Sequence, residues 1–584
     1  MISLSAVFPT LLFAAACSTT APRLEQPGRA HEKRAGLRRL AIVGINDVHG
    51  ALLAAPGPRS LAAWTSDPLG GAEWLGGWMD AIRRDARDRG GEALLIDAGD
   101  ELQGTLISNQ FQGRSVVDAF NALGVAAAAV GNHEFDFGLP VLLERMQQAR
   151  YPMLAANVFE KGTRNRPAWA KPSALLDVRG LKVGVVGLTT VDTPTVTNPL
   201  NVAGLDFAPG GPVAAQEADA LRARGATVVI VTAHAGPFPP SGEIQRIAES
   251  VAGKVDAIVS GHHHTTIGPP PLVVAGIPIV QAGTKLQYFS VIELILDEAG
   301  RVSRFAVNDG TFPRPGGPQP IFHTVQGRPP EWRGKEVVPD AKVAALLSRY
   351  DEQVRRLRET RIGSSEVDLR KGRDGSLGNL VADALRSGAG GGLRAEFALQ
   401  NSGGLRVPEV PAGPITFGQI FDLYPFDNLQ VVVQVPAEAI RDALETVLRA
   451  GKLPLQVSGL RYTIDWDRFA QLGAERRAWP SGALVTEVTD DAGRTLCRTR
   501  SCSPSACDAS CAQGNFAVSV SDFLANGGDG LSMLKDAPRQ TGSVLTRDMV
   551  MSYVKLHDPI TAALVDSGRP RVRVNGTPLR AQAE

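Results

Sequence analysis

The chain contains nine histidines, and most of them stand in a few short polar segments that also carry Asp and Asn. These are Asp47 and His49 in "NDVHG", Asp100 in "DAGD", Asn132 and His133 in "GNHEFD", His234 in "AHAG", and His262 and His264 in "GHHH". One histidine in a loop more often satisfies a local hydrogen bond than binds a metal. Here ligand-type residues recur where one apolar run after another gives out, and a separate local reason for each is the weaker account. Carboxylate, amide oxygen and imidazole without thiolate suit borderline or hard divalent cations such as Zn, Mn, Fe, Co or Mg. Several such ligands around one central carboxylate can hold two ions roughly 3.5–4 Å apart. A pair of that kind polarises a phosphoryl oxygen and generates hydroxide from water near neutral pH.

The three adjacent histidines need sorting. They follow "VDAIVS", a β-branched run that reads as a buried strand. In extended backbone side chains alternate, so His262 and His264 are expected to face one way and His263 the other. His263 is accordingly expected to be an exposed loop residue. Asp97 also ends a strand, three residues before Asp100, and is expected to act as a supporting group or local cap.

The positioning elements are legible around these segments. "RRLAIVGI", "EALLID", "AAAAV", "KVGVVGL", "ATVVIVTA" and "VDAIVS" read as strands, and "AEWLGGWMDAIRRDARDRG" and "GPVAAQEADALRARG" have helical spacing of apolar residues. Alternating strands and helices indicate an α/β domain, whose ligands bind at the carboxyl ends of the strands. "DGTFPRPGGPQPIF" reads as a surface excursion. "VPDAKVAALLSRYDEQVRRLRETRIG" reads as a long charged amphipathic helix joining two domains, with the boundary near Ile362.

With 584 residues, two globular domains are expected. The 61 basic and 60 acidic residues leave a net charge of +1, so bulk charge argues against a nucleic-acid polymer as partner. No internal apolar segment is long enough to span a bilayer.

The pattern DVH…GD…GNHEFD…AHAG…GHHH resembles the calcineurin-like metallophosphatase superfamily, whose fold is a four-layer sandwich. The resemblance implies that Asp47, His49, Asp100 and His264 hold one ion, and Asp100, Asn132, His234 and His262 the other, with Asp100 as bridge. His133 with Asp136 resembles the family's catalytic pair, in which the imidazolium assists the leaving oxygen and the carboxylate orients it. Further on, "GRDGSLGNLVADAL", "NSGGLR", "YPFDNLQ" and "SDFLANGGDG" resemble the C-terminal domain of secreted and periplasmic 5′-nucleotidases, including the UDP-sugar hydrolase type. That implies a separate mixed α/β domain that holds the nucleotide, with hydrolysis in the cleft between the two and a hinge near the joining helix.

The residue types suit these roles. Arg373 and Arg406 can make bidentate contacts to phosphate, whereas Arg394 belongs to no matching motif and reads as a surface residue. Phe426 and Phe523 can sandwich a base, Asp529 can accept from ribose hydroxyls, and Asn401 can bond phosphate or base. Gly403 and Gly404 allow close backbone approach. The implied organisation is a signal at residues 1–17, a tether at 18–37, a metallophosphatase domain at 38–335, a linker helix at 336–362, the C-terminal domain at 363–575 and a tail at 576–584.

Two further segments bear on location. "MISLSAVFPTLLFAAAC" reads as an export signal; its end resembles a bacterial lipoprotein processing site with Cys17 lipidated, while Ala14-Ala15-Ala16 also fits ordinary cleavage after Ala16. "CRTRSCSPSACDASC" lacks a familiar zinc spacing; in an exported protein it is expected to form two local disulfides at a hairpin tip, with the pairing open. The expected activity is dinuclear-metal hydrolysis of nucleoside 5′-monophosphates, and of di- or triphosphates too. The alternatives are UDP-sugar hydrolysis, 2′,3′-cyclic nucleotide phosphodiesterase activity, or a non-catalytic nucleotide-binding surface lipoprotein.

Overall fold

The computed structural model describes residues 38–237, 242–472, 479–566, 570–575 and 577–578. The signal, the tether and Cys17 lie outside the described residues.

The first unit is built from strands that are apolar on both faces. In Arg38–Ile45, Leu40 and Ile42 point into one apolar cluster, and Ala41, Val43 and Ile45 into another. Leu181–Leu188 and Val228–Ala233 divide in the same way. A strand buried on both sides belongs between two layers. Residues 302–307, 288–296, 38–45, 92–97, 125–129 and 153–154 make one sheet in that order, and residues 272–274, 277–280, 257–260, 228–233, 181–188 and 173–178 make the second. The sheets face each other, with helices Ala72–Asp88 and Arg114–Leu123 outside the first, and Gly210–Ala223 and Glu243–Ser250 outside the second. This is the expected four-layer sandwich. In each sheet the central strands run parallel, so their carboxyl ends share an edge.

The segment expected to be a surface excursion is only partly one. Gln319–Pro320 pairs with the strand Tyr288–Leu296, and Ile321 and Phe322 are fully buried, the latter accepting from Trp78 Nε1 at 3.2 Å. Ile321 and Phe322 outweigh the turn-forming Pro and Gly ahead of them.

Helix Ala341–Arg358 packs as an outer helix of the first unit rather than as a free connector. Val343, Leu347 and Val354 enter the first unit's core, and Tyr350 Oη donates to Asp118 Oδ2 at 2.6 Å. Asp340 caps its start, accepting from Lys342 N and Val343 N. The chain then passes through Glu359 and Thr360 into the strand Arg361–Ser365 of the second unit.

The second unit has a five-stranded sheet ordered 456–458, 397–400, 515–521, 429–436 and 539–545. Helices Ser376–Ser387 and Thr546–Leu556 contribute to one adjoining core, and Ala437–Arg449 to another. A second sheet carries the cysteines. Thr495–Cys502 and Cys507–Cys511 form a hairpin in which Cys497 faces Cys511 and Cys502 faces Cys507, and both pairs are disulfides. The register of the ladder decides the pairing.

Candidate functional site

The predicted ligand residues converge at the carboxyl edge of the two sheets. Asp47 and His49 follow the strand ending at Ile45, Asp100 follows Asp97, Asn132 follows Ala129, His234 follows Ala233, and His262 and His264 follow Ser260. Potential ligand atoms of Asp47, His49, Asp100 and His264 lie within 4.8 Å of one another, as do those of Asp100, His234 and His262. Asp100 belongs to both groups. Asn132 Oδ1 joins the second group 3.1 Å from His234 Nε2, while its Nδ2 donates to Val196 O.

The backbone at this edge is bent. Asp47, His49, Asp100, His262 and His264 all have positive φ, from 50° to 80°. Strain of this kind concentrates at functional sites, where surrounding structure holds it. It also corrects the expected geometry of the histidine triplet: His262 at φ 80° and His264 at φ 54° lie in a turn, not in extended backbone. The pair reaches the site through this turn rather than through strand alternation. His263 is half-buried rather than exposed. Its ring lies 5.3 Å from that of His262 and occupies the space over Gly236, where an added Cβ would fall 2.0 Å from His263 Nδ1.

The hydrogen bonds suit a cation site. His49 Nδ1 lies 2.9 Å from Gln103 O and His234 Nδ1 lies 2.8 Å from Ala98 O. A carbonyl can only accept, so each Nδ1 carries the proton in the neutral ring and each Nε2 presents a lone pair. His49 Nε2 is 2.9 Å from His264 Nε2, and His234 Nε2 is 3.2 Å from His262 Nδ1. Burial pushes His49, His262 and His264 below the ordinary histidine range. Neutral imidazole is the form that binds metal. Burial opposes the charge on Asp100, but the imidazoles of His234, His133 and His49 hold its carboxyl well below the usual range. For His234 burial is likewise outweighed, by the Asp100 carboxylate 3.1 Å from its Nε2, and its pKa is pushed up to about 10; a cation bound there would take the place of the Nε2 proton and leave the ring neutral. Packed imidazoles around one carboxylate fit a bound divalent cation.

His133 Nδ1 is 2.6 Å from Asp136 Oδ2, and Thr197 Oγ1 donates to Asp136 Oδ1 at 2.7 Å. Burial lowers the pKa of His133, but the Asp136 and Asp100 carboxylates reverse that, so it is raised.

Glu134, which the motif reading passed over, cross-links two site loops. Its carboxylate accepts from Asp100 N and Gly131 N at 2.9 and 2.6 Å, and from Glu101 N and Leu102 N at 2.7 and 3.2 Å. An acid directly after His133 in "GNHEFD" is its only sequence signal. Asp97 caps its own turn as expected, accepting from Gly99 N at 2.6 Å. Gly131 has no room for a side chain, because a Cβ there would sit 2.3 Å from Asp100 Oδ1.

A cleft of about 1090 Å³ joins this site to the second unit. Asn401, Gly403, Arg406, Phe426, Phe523 and Asp529 all line it. Arg406 Nη2 lies 2.8 Å from His49 Nε2, and Phe426 stacks on His133 with centroids 5.7 Å apart. Asp529 receives Asn401 Nδ2 at 2.7 Å and Lys452 Nζ at 2.5 Å, so these residues hold one another. Arg373 is the exception. Its guanidinium sits over the Trp466 ring at 4.5 Å and is not part of the cleft lining. Lys371, two residues earlier, does line the cleft, with Nζ donating to Leu405 O at 2.9 Å. Aromatic stacking away from the cleft holds Arg373, a contact that local sequence does not reveal.

The chain is 30% identical over 563 residues to a snake venom 5′-nucleotidase of Naja atra, covering 89% of this chain and 96% of that protein. The chain belongs to the 5′-nucleotidase family. Residues 40–266 match the calcineurin-like phosphoesterase model and residues 357–536 the 5′-nucleotidase C-terminal domain model. The human 5′-nucleotidase is 28% identical over 544 residues, covering 86% of this chain and 85% of that protein. Among solved structures, the 5′-nucleotidase precursor from Thermus thermophilus superposes with a TM-score of 0.72 at 26% identity, covering 92% of this chain and all of that one. As a member of the 5′-nucleotidase family, the chain is a metal-dependent phosphoric monoester hydrolase, with donor groups for divalent metal in its first unit.

Proposed function

We propose that the protein releases phosphate from nucleoside 5′-monophosphates, and from di- and triphosphates, in the cleft between its two units. The observation that carries this reading is the convergence of Arg406 and Phe426 from the second unit on His49 and His133 of the first. A guanidinium and an aromatic ring beside a cation site form a receptor for a phosphate ester with a flat substituent.

In this reading two divalent cations are held, one by Asp47, His49, Asp100 and His264, the other by Asp100, Asn132, His234 and His262. The chemistry that such cations supply is polarisation of the phosphoryl oxygens and a more acidic attacking water. Arg406 and Lys371 bind phosphate oxygens. Phe426 and Phe523 take the base, and Asn401 and Asp529 the polar edge of the nucleoside. His133 delivers a proton to the leaving 5′-oxygen, and Asp136 holds the imidazole in the orientation for that transfer. Arg373 has no direct role here.

We place the protein outside the cytoplasm, in the periplasm or cell envelope. The apolar leader, the two disulfides and the venom relatives support export. Cys17 is the candidate lipid anchor.

The deciding experiment is a phosphate-release panel with AMP, other mononucleotides, ATP, UDP-glucose and 2′,3′-cyclic nucleotides, each with Zn, Mn, Fe, Co and Mg. Fastest turnover of 5′-monophosphates is expected. Turnover confined to UDP-glucose or cyclic nucleotides would replace the reading with the corresponding alternative.

A further inference from the structure

Two side chains of the first unit reach into the second, and each ends on a main-chain carbonyl beside a residue of the proposed nucleotide site. Lys285 Nζ donates to Arg406 O at 2.7 Å. Asn109 Nδ2 donates to Pro425 O, one residue before Phe426, at 2.9 Å.

Each is also tied at its other end to a loop carrying a candidate cation ligand. Lys285 N donates to Asp47 O at 2.8 Å, and the neighbouring Thr284 Oγ1 donates to the same oxygen at 2.8 Å. Lys285 itself has φ 56°, so its backbone is held in the left-handed region by this arrangement. Asn109 Oδ1 accepts from Gly104 N at 2.9 Å, and the adjoining Gln103 O is the partner of His49 Nδ1. Thus Lys285 joins the Asp47 loop to Arg406, and Asn109 joins the His49 support to Phe426.

We infer that Lys285 and Asn109 are positioning residues for the hydrolytic reaction: they act as two struts that set the docking of the nucleotide-holding unit on the cation site. This rests on the reading of the cleft as the nucleotide site. The contacts are to main chain, so they hold the path of the second unit's backbone whatever its side chains do. A charge-assisted bond from a desolvated ammonium to a carbonyl is the stronger type. The charged groups facing Lys285 are Arg406, Lys371 and Asp422; burial and the Arg406 guanidinium push the Lys285 pKa down to about 8, and the Asp422 carboxylate counters them only in part.

The test compares the full chain with Lys285→Met, Asn109→Ala, the double variant and Lys285→Arg. Three quantities are measured: radius of gyration by small-angle X-ray scattering, bound divalent metal by elemental analysis, and kcat and KM for AMP. The expected result is an increased radius of gyration with unchanged metal content. KM for AMP should rise about tenfold in Lys285→Met, the scale of one charge-assisted hydrogen bond, by a smaller factor in Asn109→Ala, whose bond is between neutral groups, and further in the double variant. Lys285→Arg, which keeps a cationic donor, should restore most of KM. Unchanged scattering and KM in folded variants would overturn the proposal, as would metal loss that accounts for all lost activity. If Lys285→Met fails to fold, Asn109→Ala decides by the same measurements. Wild-type protein that does not hydrolyse AMP would refute the substrate reading, yet the scattering comparison would still judge the struts.

Discussion

Arg406 Nη2 lies 2.8 Å from His49 Nε2, so a guanidinium of one unit meets the lone pair of a candidate metal ligand in the other. With Nδ1 turned to Gln103 O, His49 has a single lone pair left. It can accept from Arg406 or bind a cation, but not both. A cation at His49 Nε2 would displace the Arg406 guanidinium from this nitrogen and leave it available to a phosphate oxygen.

It follows that Arg406→Leu should separate cation binding from substrate binding. Metal affinity measured by titration calorimetry should hold or improve, since a competitor for His49 Nε2 is gone. KM for AMP should rise about tenfold or more, because a charge-assisted phosphate contact is lost. A fall in metal affinity would refute the competition.

Among the three adjacent histidines the expected losses are unequal. His262→Ala or His264→Ala should strip metal and abolish phosphate release. His263→Ala should keep both, because the His263 ring packs over Gly236 and lies outside both ligand groups. Elemental analysis with an activity assay distinguishes the cases, and equal losses at all three positions would refute the assignment.

Asp136→Asn tests the proton donor. The carboxylate 2.6 Å from His133 Nδ1 is lost while every proposed ligand remains. Turnover should fall by roughly 10²–10⁴, the usual contribution of a positioned acid or base, with metal content unchanged. Unchanged kcat would remove His133 from the chemistry.

Phe523→Ala is the cleaner probe of base stacking, since Phe426 also packs on His133 and lies under Arg406. Loss of one stacking face costs about 1–3 kcal/mol. It should appear in kcat/KM for AMP and hardly at all for p-nitrophenyl phosphate. Equal losses for both substrates would make Phe523 a packing residue.

The cysteine hairpin should contribute stability and not catalysis. Cys497 and Cys511 are 14 residues apart, and cross-linking such a loop is worth about 3 kcal/mol through the unfolded state. Replacing both by Ser should lower Tm with kcat/KM for AMP retained, because neither of these two cysteines lines the cleft. Cys502 and Cys507, five apart inside the same hairpin, close a much shorter loop and should matter less.

Much of this protein can be read from its chain alone, for a physical reason. Apolar runs such as "LAIVGI" and "VVIVTA" commit to buried strands, and the polar residues that end them must lie at a sheet edge. That local logic gathers Asp47, His49, Asp100, Asn132, His133, His234, His262 and His264 into one set, and the family resemblance separates His133 from the ligands. It also indicated two local disulfides, although their partners awaited the strand register.

What only the tertiary structure decided depends on how separate pieces dock. Asp100 lies in two ligand groups because two sheets bring their edges together. His262 and His264 share the site through left-handed turns, which alternation along a strand does not describe. Lys371 faces the cleft and Arg373 stacks on Trp466, a choice made by packing partners almost a hundred residues away in the chain. The Lys285 and Asn109 struts span 121 and 316 residues. Local periodicity constrains which face a residue presents; it holds no information on the rigid-body placement of one unit against another.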